Sequence, residues 1–202
     1  SARKRDRPAG THRVSVVGIA ASTGGPQTVR SLIQNMGGVP LQAGIAVIQH
    51  MAEGFMEGFR EWLSESSPYP VRIPREGEEV KAGTVYVAPG GHHLLFNHDG
   101  RFTYDDGPPI NGIRPSANRF FVSMAMAFGE HGVAVILTGM GNDGSEGIRA
   151  VHQEGGMVIA QDRASSLIYG MPKAAFETGV VDNVVALEEL PDALLRLIGG
   201  WG

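Results

Sequence analysis

Short runs of β-branched and aliphatic residues recur along the chain. Each is closed by Gly, Ser, Thr, Asn or Asp and followed by a stretch with apolar residues at helical spacing. The pattern predicts strands over 14–20, 44–49, 71–74, 84–88, 133–138, 157–160 and 184–186. Helices are predicted over 26–36, 54–65, 115–131, 145–154, 172–178 and 187–198. Several of the strand runs are apolar at every position, which requires cover on both faces. The expected fold is therefore a three-layer α/β/α sandwich, with a doubly wound, mostly parallel sheet of about seven strands. Between residues 88 and 115 the alternation stops. Segments 93–97 and 101–105 flank Asn97-His98-Asp99-Gly100 and predict a β-hairpin, because Asp-Gly favours the tight turn that joins antiparallel strands. An excursion of this length inside an α/β domain is expected to form a functional rim near the site.

Composition narrows the class. A chain of 202 residues suffices for one domain of ordinary size, expected over 14–202. Residues 1–13 carry Arg3, Lys4, Arg5, Arg7 and Arg13 against Asp6 alone, and predict a solvated basic linker or disordered tail. The net charge is −4, so the remaining body is more acidic than the whole, which argues against a nucleic-acid partner. The first residue is Ser rather than Met, an expectation of a piece cut from a longer chain within a linker. Cysteine is absent, which removes disulfides, thiolate metal sites and cysteine nucleophiles. No apolar run approaches the ~20 residues of a membrane span and no signal-peptide core is evident, so no membrane insertion and a cytoplasmic location are expected.

In open α/β sheets, polar residues just beyond the carboxyl ends of neighbouring strands converge on one crevice. Three such segments carry complementary chemistry: Ser22-Thr23-Gly24-Gly25-Pro26, Gln49-His50-Met51 and Gly139-Met140-Gly141-Asn142-Asp143-Gly144. A serine hydroxyl becomes nucleophilic when a neutral imidazole accepts its proton, and a carboxylate holds that imidazole in the useful tautomer. Ser22, His50 and Asp143 are thus candidates for an acyl-transfer triad, with the hydroxyl–imidazole and imidazole–carboxylate separations expected near hydrogen-bonding range, or looser without substrate. Backbone amides at Ser22 to Gly25 and at Gly139 to Gly141 are candidates for an oxyanion hole. The Ser22 turn also fits a helix cap or a phosphate cradle, although it matches neither the Walker loop nor the G-x-G-x-x-G or G-x-S-x-G patterns. His92 and His93 follow a strand as well, but adjacent residues of an extended segment point opposite ways and do not suit a shared metal. Asp162 competes with Asp143 for the acid. Asp143 is preferred because glycines surround it in a tight turn. No metal-ligand spacing is found, and metal-free, cofactor-free hydrolysis is expected.

The strings Ser22-Thr23-Gly24-Gly25-Pro26, Gln49-His50-Met51, Ala88-Pro89-Gly90-Gly91-His92-His93, Arg114-Pro115-Ser116, Leu137 to Gly144 and Tyr169-Gly170-Met171-Pro172 resemble, in identity and order, the catalytic domain of the CheB methylesterases. The resemblance runs from about Val14 to about Leu197. It implies hydrolysis of γ-glutamyl methyl esters on the cytoplasmic helices of chemoreceptors with release of methanol, and deamidation of receptor glutamines, both serving sensory adaptation in chemotaxis. By the same resemblance Ser22 is the nucleophile, His50 the general base, Asp143 the orienting acid, and Thr23 and Met140 stand beside the oxyanion. It further implies a receiver domain as regulatory partner, in cis or in trans, where this chain has only its basic segment. Gly24, Gly139 and Arg114 complete the candidate site. Met51, Phe55, Arg114, Met171 and the hairpin are candidates for a substrate rim, with Arg75, Arg101, Arg114 or Arg163 as a local basic patch. A phosphate- or nucleotide-binding module, a hydrolase of small esters and a pseudoenzyme that serves in assembly are the competing readings, the last disfavoured because all three triad residue types are present.

Overall fold

Consecutive residues of Val16–Ala21, the central strand β1, go to opposite cores. Val17, Ile19 and Ala21 enter one hydrophobic cluster, and Val16 and Ala20 enter the other. This computed structural model describes residues 13–200, and the expected tail lies outside the described residues except for Arg13. The remaining elements are α1 (Gly25–Asn35), β2 (Gly44–Gln49), α2 (Met56–Ser64), β3 (Val71–Arg72), β4 (Val85–Val87), β5 (His93–Phe96), β6 (Phe102–Asp105), α3 (Ala117–Phe128), β7 (Gly132–Ile136), α4 (Ser145–Gln153), β8 (Met157–Gln161), α5 (Met171–Glu177), β9 (Asn183–Val185) and α6 (Leu190–Ile198).

Among the described residues seven strands form one sheet in the order β3-β4-β2-β1-β7-β8-β9, every pairing parallel. Helices α1, α2 and α6 bury Val29, Leu32, Phe59, Leu63, Leu190 and Leu194 against one face. On the other face α3, α4 and α5 bury Phe120, Phe121, Met124, Ile148, Val151 and Ala175. Each large side chain so buried contributes about 1.5–3 kcal/mol. Gly18 lets α3 approach the sheet, since a Cβ there would stand 2.7 Å from Phe120 Cε1. The expected sandwich is the observed one.

Hairpin β5–β6 pairs His93 with Asp105 and Phe96 with Phe102 around the Asn97–Gly100 turn. It packs Phe96 and Phe102 into the α3 core and is tied to α3 by the Arg119–Asp105 ion pair at 2.7 Å. The Arg119 guanidinium, helped by the Gly107 N–H, holds the Asp105 carboxyl down to about 2.

Element ends differ from expectation for local reasons. Helix α3 starts after Pro115, because Ser116 is extended and its Oγ accepts from the Arg119 N–H as an N-cap. It stops at Phe128, where Gly129 turns to φ +52 and a 3-10 turn follows. The segment expected as helix from 54 opens with a 3-10 turn at Glu53–Phe55. Residues 187–189 form a turn before α6.

The packing of α3 on α4 includes an exchange of caps. Asn118 Oδ1, in the first turn of α3, accepts from Gly144, Glu146 and Gly147 N–H at 2.9, 3.1 and 2.9 Å, at the start of α4. Asp143, immediately before α4, accepts in turn from Ala117 and Asn118 N–H at the start of α3. Each helix therefore satisfies the orphan donors of the other. Asn118→Ala is expected to lower unfolding free energy in urea by about 1–2 kcal/mol. A loss below about 0.5 kcal/mol, the range of ordinary surface substitutions, would show that the cap is not used.

Candidate functional site

Strand β1 lies between β2 and β7, so the segments leaving these three neighbours share one end of the sheet. Ser22 follows β1, His50 follows β2, and the Gly139–Asp143 turn follows β7. The Ser22 N–H donates to Thr138 O at 3.0 Å and the His50 N–H donates to Ala21 O at 2.9 Å, so ladder bonding extends to both candidates.

His50 Nε2 lies 2.8 Å from Asp143 Oδ2. An ionised carboxylate only accepts, so Nε2 carries the proton and Nδ1 keeps its lone pair. The ring is held with about a tenth of its side chain exposed. No hydrogen bond joins the Ser22 hydroxyl to the ring among the described residues, although the two residues leave adjacent strands at matching register, after Ala21 and Gln49. Two of the three candidates are thus directly bonded, and the third is a neighbour.

Asp143 is the most elaborately bound side chain of the site. Besides His50, its oxygens accept from Ser116 Oγ at 3.0 Å, from the Ala117 N–H at 2.6 Å and from the Asn118 N–H at 3.0 Å. Burial pushes the carboxyl up, but the hydrogen bonds from His50, Asn118 and Ala117 outweigh it and hold the group below its ordinary value. Ser116 is set in its turn by His93, a fully buried residue of β5. His93 Nδ1 accepts the Ser116 N–H at 3.0 Å, while Nε2 donates to Pro108 O at 3.0 Å. The hairpin therefore reaches the site through His93, a contact that the sequence reading did not foresee. His92 instead faces outward and pairs with Asp106.

The turn after β7 is stitched to residues 168–171. Thr138 Oγ accepts from the Ile168 N–H and bonds Thr23 O, Gly139 N–H donates to Ile168 O, and Met171 N–H donates to Gly139 O. A Cβ on Gly139 would stand 2.7 Å from Ser22 Cβ, so only glycine lets the turn lie against the serine. Because Gly139 N–H is committed to Ile168, and Gly25 N–H to Ser22 O, neither is free to bind an oxyanion, contrary to the broader expectation from sequence. Thr23 and Met140 N–H have no partner among the described residues.

Other candidates separate clearly. Gly24 is the left-handed N-cap of α1 at φ +78, beneath Leu167. Arg114 donates to the main-chain carbonyls of Asp106 and Gly107, and among the described residues no hydrogen bond or ion pair joins it to Ser22, His50 or Asp143. Met171 is buried against Gly139, which corrects its expected place on the rim, and Met51 packs on the α1–α2 core. Phe55 and Met140 are exposed, as is Leu167, which no periodicity singled out. Arg101 is paired with Glu79, and Asp162 caps its own loop through Ser165. No helix among the described residues is long and apolar enough to cross a membrane.

Comparison with known proteins agrees with this fold. The family model described as CheB methylesterase matches residues 17–194. A protein-glutamate methylesterase/protein-glutamine glutaminase of a group 3 operon from Rhizobium meliloti is 41% identical over 98% of this chain and 56% of its own length. One from Myxococcus xanthus is 43% identical over 94% of the chain and 54% of its own. The crystal structure of the Thermotoga maritima CheB methylesterase catalytic domain superposes with a TM-score of 0.86 at 38% identity, covering 91% of this chain and 98% of that one. The chain spans about half the length of the curated relatives it matches.

A depressed carboxyl adds stability above its unfolded value, near 3.9, and that stability is lost as pH falls through the folded value. Asp143→Asn, which places an amide against the α3 donors, is expected to cost about 1–3 kcal/mol at neutral pH. The gap from wild type should hold down to about pH 5 and narrow below about pH 4 in chemical denaturation. A gap unchanged into acid would exclude the carboxylate as its source.

Proposed function

The chain belongs to the CheB methylesterase family, and from this premise we propose that it hydrolyses γ-glutamyl methyl esters on chemoreceptor helices through Ser22, His50 and Asp143. The observation that supports this most is the 2.8 Å bond from His50 Nε2 to a carboxylate anchored at a helix N-terminus, one strand away from Ser22. Asp143 fixes the tautomer, so Nδ1 is the nitrogen that receives the proton of Ser22. The hydroxyl comes within hydrogen-bonding range of that nitrogen as substrate arrives, in keeping with the looser geometry of ligand-free sites.

The alkoxide attacks the ester carbonyl carbon, and the new C–O bond leaves a tetrahedral oxyanion. Thr23 and Met140 N–H, which have no partner of their own among the described residues, are the donors for it, each worth about 2.7–4 kcal/mol of barrier. The C–O bond to methoxide then breaks, and the imidazolium returns the proton so that methanol leaves. Water, deprotonated by the same imidazole, attacks the glutamyl-serine ester and regenerates Ser22 with a free glutamate. The same sequence on a glutamine side chain releases ammonia in place of methanol.

Phe55, Met140 and Leu167, exposed at this end of the sheet, offer apolar surface to a receptor helix. The reading includes action on the cytoplasmic side and a receiver domain, in cis or in trans, that governs access. Ser22→Ala is expected to lower turnover of a methyl-esterified receptor fragment by about 10⁴- to 10⁶-fold with the thermal melt unchanged. Loss of less than about tenfold would assign the nucleophile to another group.

A further inference from the structure

We propose that Gln49 is a positioning residue, whose carboxamide holds the main-chain carbonyls of the nucleophile and the base at once and so fixes how Ser22, Thr23 and His50 face the reacting carbon. The proposal rests on the reading of Ser22 and His50 given above.

Gln49 is the polar end of an otherwise apolar strand, Gly44–Gln49, and is only 1% exposed. Burying a carboxamide is costly unless its hydrogens are used. Nε2 donates to Ser22 O at 2.9 Å and to His50 O at 3.0 Å, one hydrogen to each. The reverse amide orientation would set Oε1 against two carbonyl oxygens, so the bonding pattern itself fixes the assignment. Oε1 has no partner, and it lies 2.2 Å from where a Cβ on Gly25 would stand. An unsatisfied buried acceptor is a penalty that a purely structural apolar side chain would avoid.

The consequence for the site follows from peptide planarity. In a trans peptide the C=O of one residue and the N–H of the next point in opposite directions. Ser22 O accepts from Gln49 Nε2 and from the Gly25 N–H, which pins the plane between Ser22 and Thr23. Thr23 N–H is thereby turned away from Gln49, in the orientation that leaves it without an internal partner. A slack Ser22–Thr23 peptide would withdraw an oxyanion donor and tilt the nucleophile together. The second hydrogen of Gln49 applies the same restraint to the carbonyl of His50, the next residue along the chain.

Two substitutions separate donation from mere filling of space. Gln49→Met keeps the volume without donors, and Gln49→Glu donates only when protonated. With a methyl-esterified receptor fragment, Gln49→Met is expected to lose about 10²-fold in kcat with KM nearly unchanged. Gln49→Glu is expected to exceed Gln49→Met, increasingly as pH falls and its carboxyl regains a hydrogen. Melting curves identify the pH range in which each variant is folded. A folded Gln49→Met within about threefold of wild-type kcat, or a Gln49→Glu no faster than Gln49→Met at any pH where both fold, overturns the proposal. Failure of both variants to fold at every pH makes the role structural and overturns it as well. Ser22→Ala is assayed beside them: retained turnover there removes the nucleophile assignment and this proposal together, whereas a dead Ser22→Ala with an active Gln49→Met removes this proposal alone.

Discussion

The carboxylate of Asp143 is the point at which the fold and its chemistry meet. Its two oxygens take donors from Ser116, Ala117, Asn118 and His50. Two of these are main-chain N–H groups in the first turn of α3, where the helix presents partial positive charge. The interaction that orients the imidazole is therefore also one that closes a helix terminus. Asn118 returns the favour at α4, so two helix starts and one imidazole are organised by two side chains. Neither the acid nor the helix packing can be described without the other.

Around this anchor the parallel sheet supplies convergence. Because β2, β1 and β7 are adjacent and parallel, their trailing residues lie side by side with no long loop needed to gather them. Two further ties make the gathering specific. Thr138 and Gly139 bind the turn after β7 to residues 168–171, and His93 binds the hairpin to Ser116. The excursion between β4 and α3 thus contributes a buried histidine to the support of the acid, in addition to any part it has as a rim.

Much of this was legible in the sequence. Unbroken apolar runs gave the doubly covered strands, Asp99-Gly100 gave the hairpin, and the polar residues at strand ends gave Ser22, His50 and Asp143 as the set to compare. Asp143 rather than Asp162 pairs with His50, and the amides that hold it come from α3, which its glycine turn does not announce. Ser116, Asn118 and His93 were not foreseen because their partners lie about 23 to 29 positions away and depend on how α3 meets α4 and β5. Signals existed nonetheless. Ser116 stands just before an apolar helical run, as N-caps do, and Gln49 is a polar residue closing a strand that is otherwise wholly apolar. Met171 shows the opposite failure. A methionine in a recognisable string reads equally well as rim or core, and only the space beside Gly139 decides it.

The crossed caps also bear on how such a site can be regulated. Helices α3 and α4 cannot separate without stranding donors on both sides, so a force applied to either one moves them as a single body and carries the acid along. An external regulator that acts on this layer accordingly has little leverage over the imidazole–carboxylate pair. The acid, its bond to His50 and the paired helix starts are displaced together or not at all.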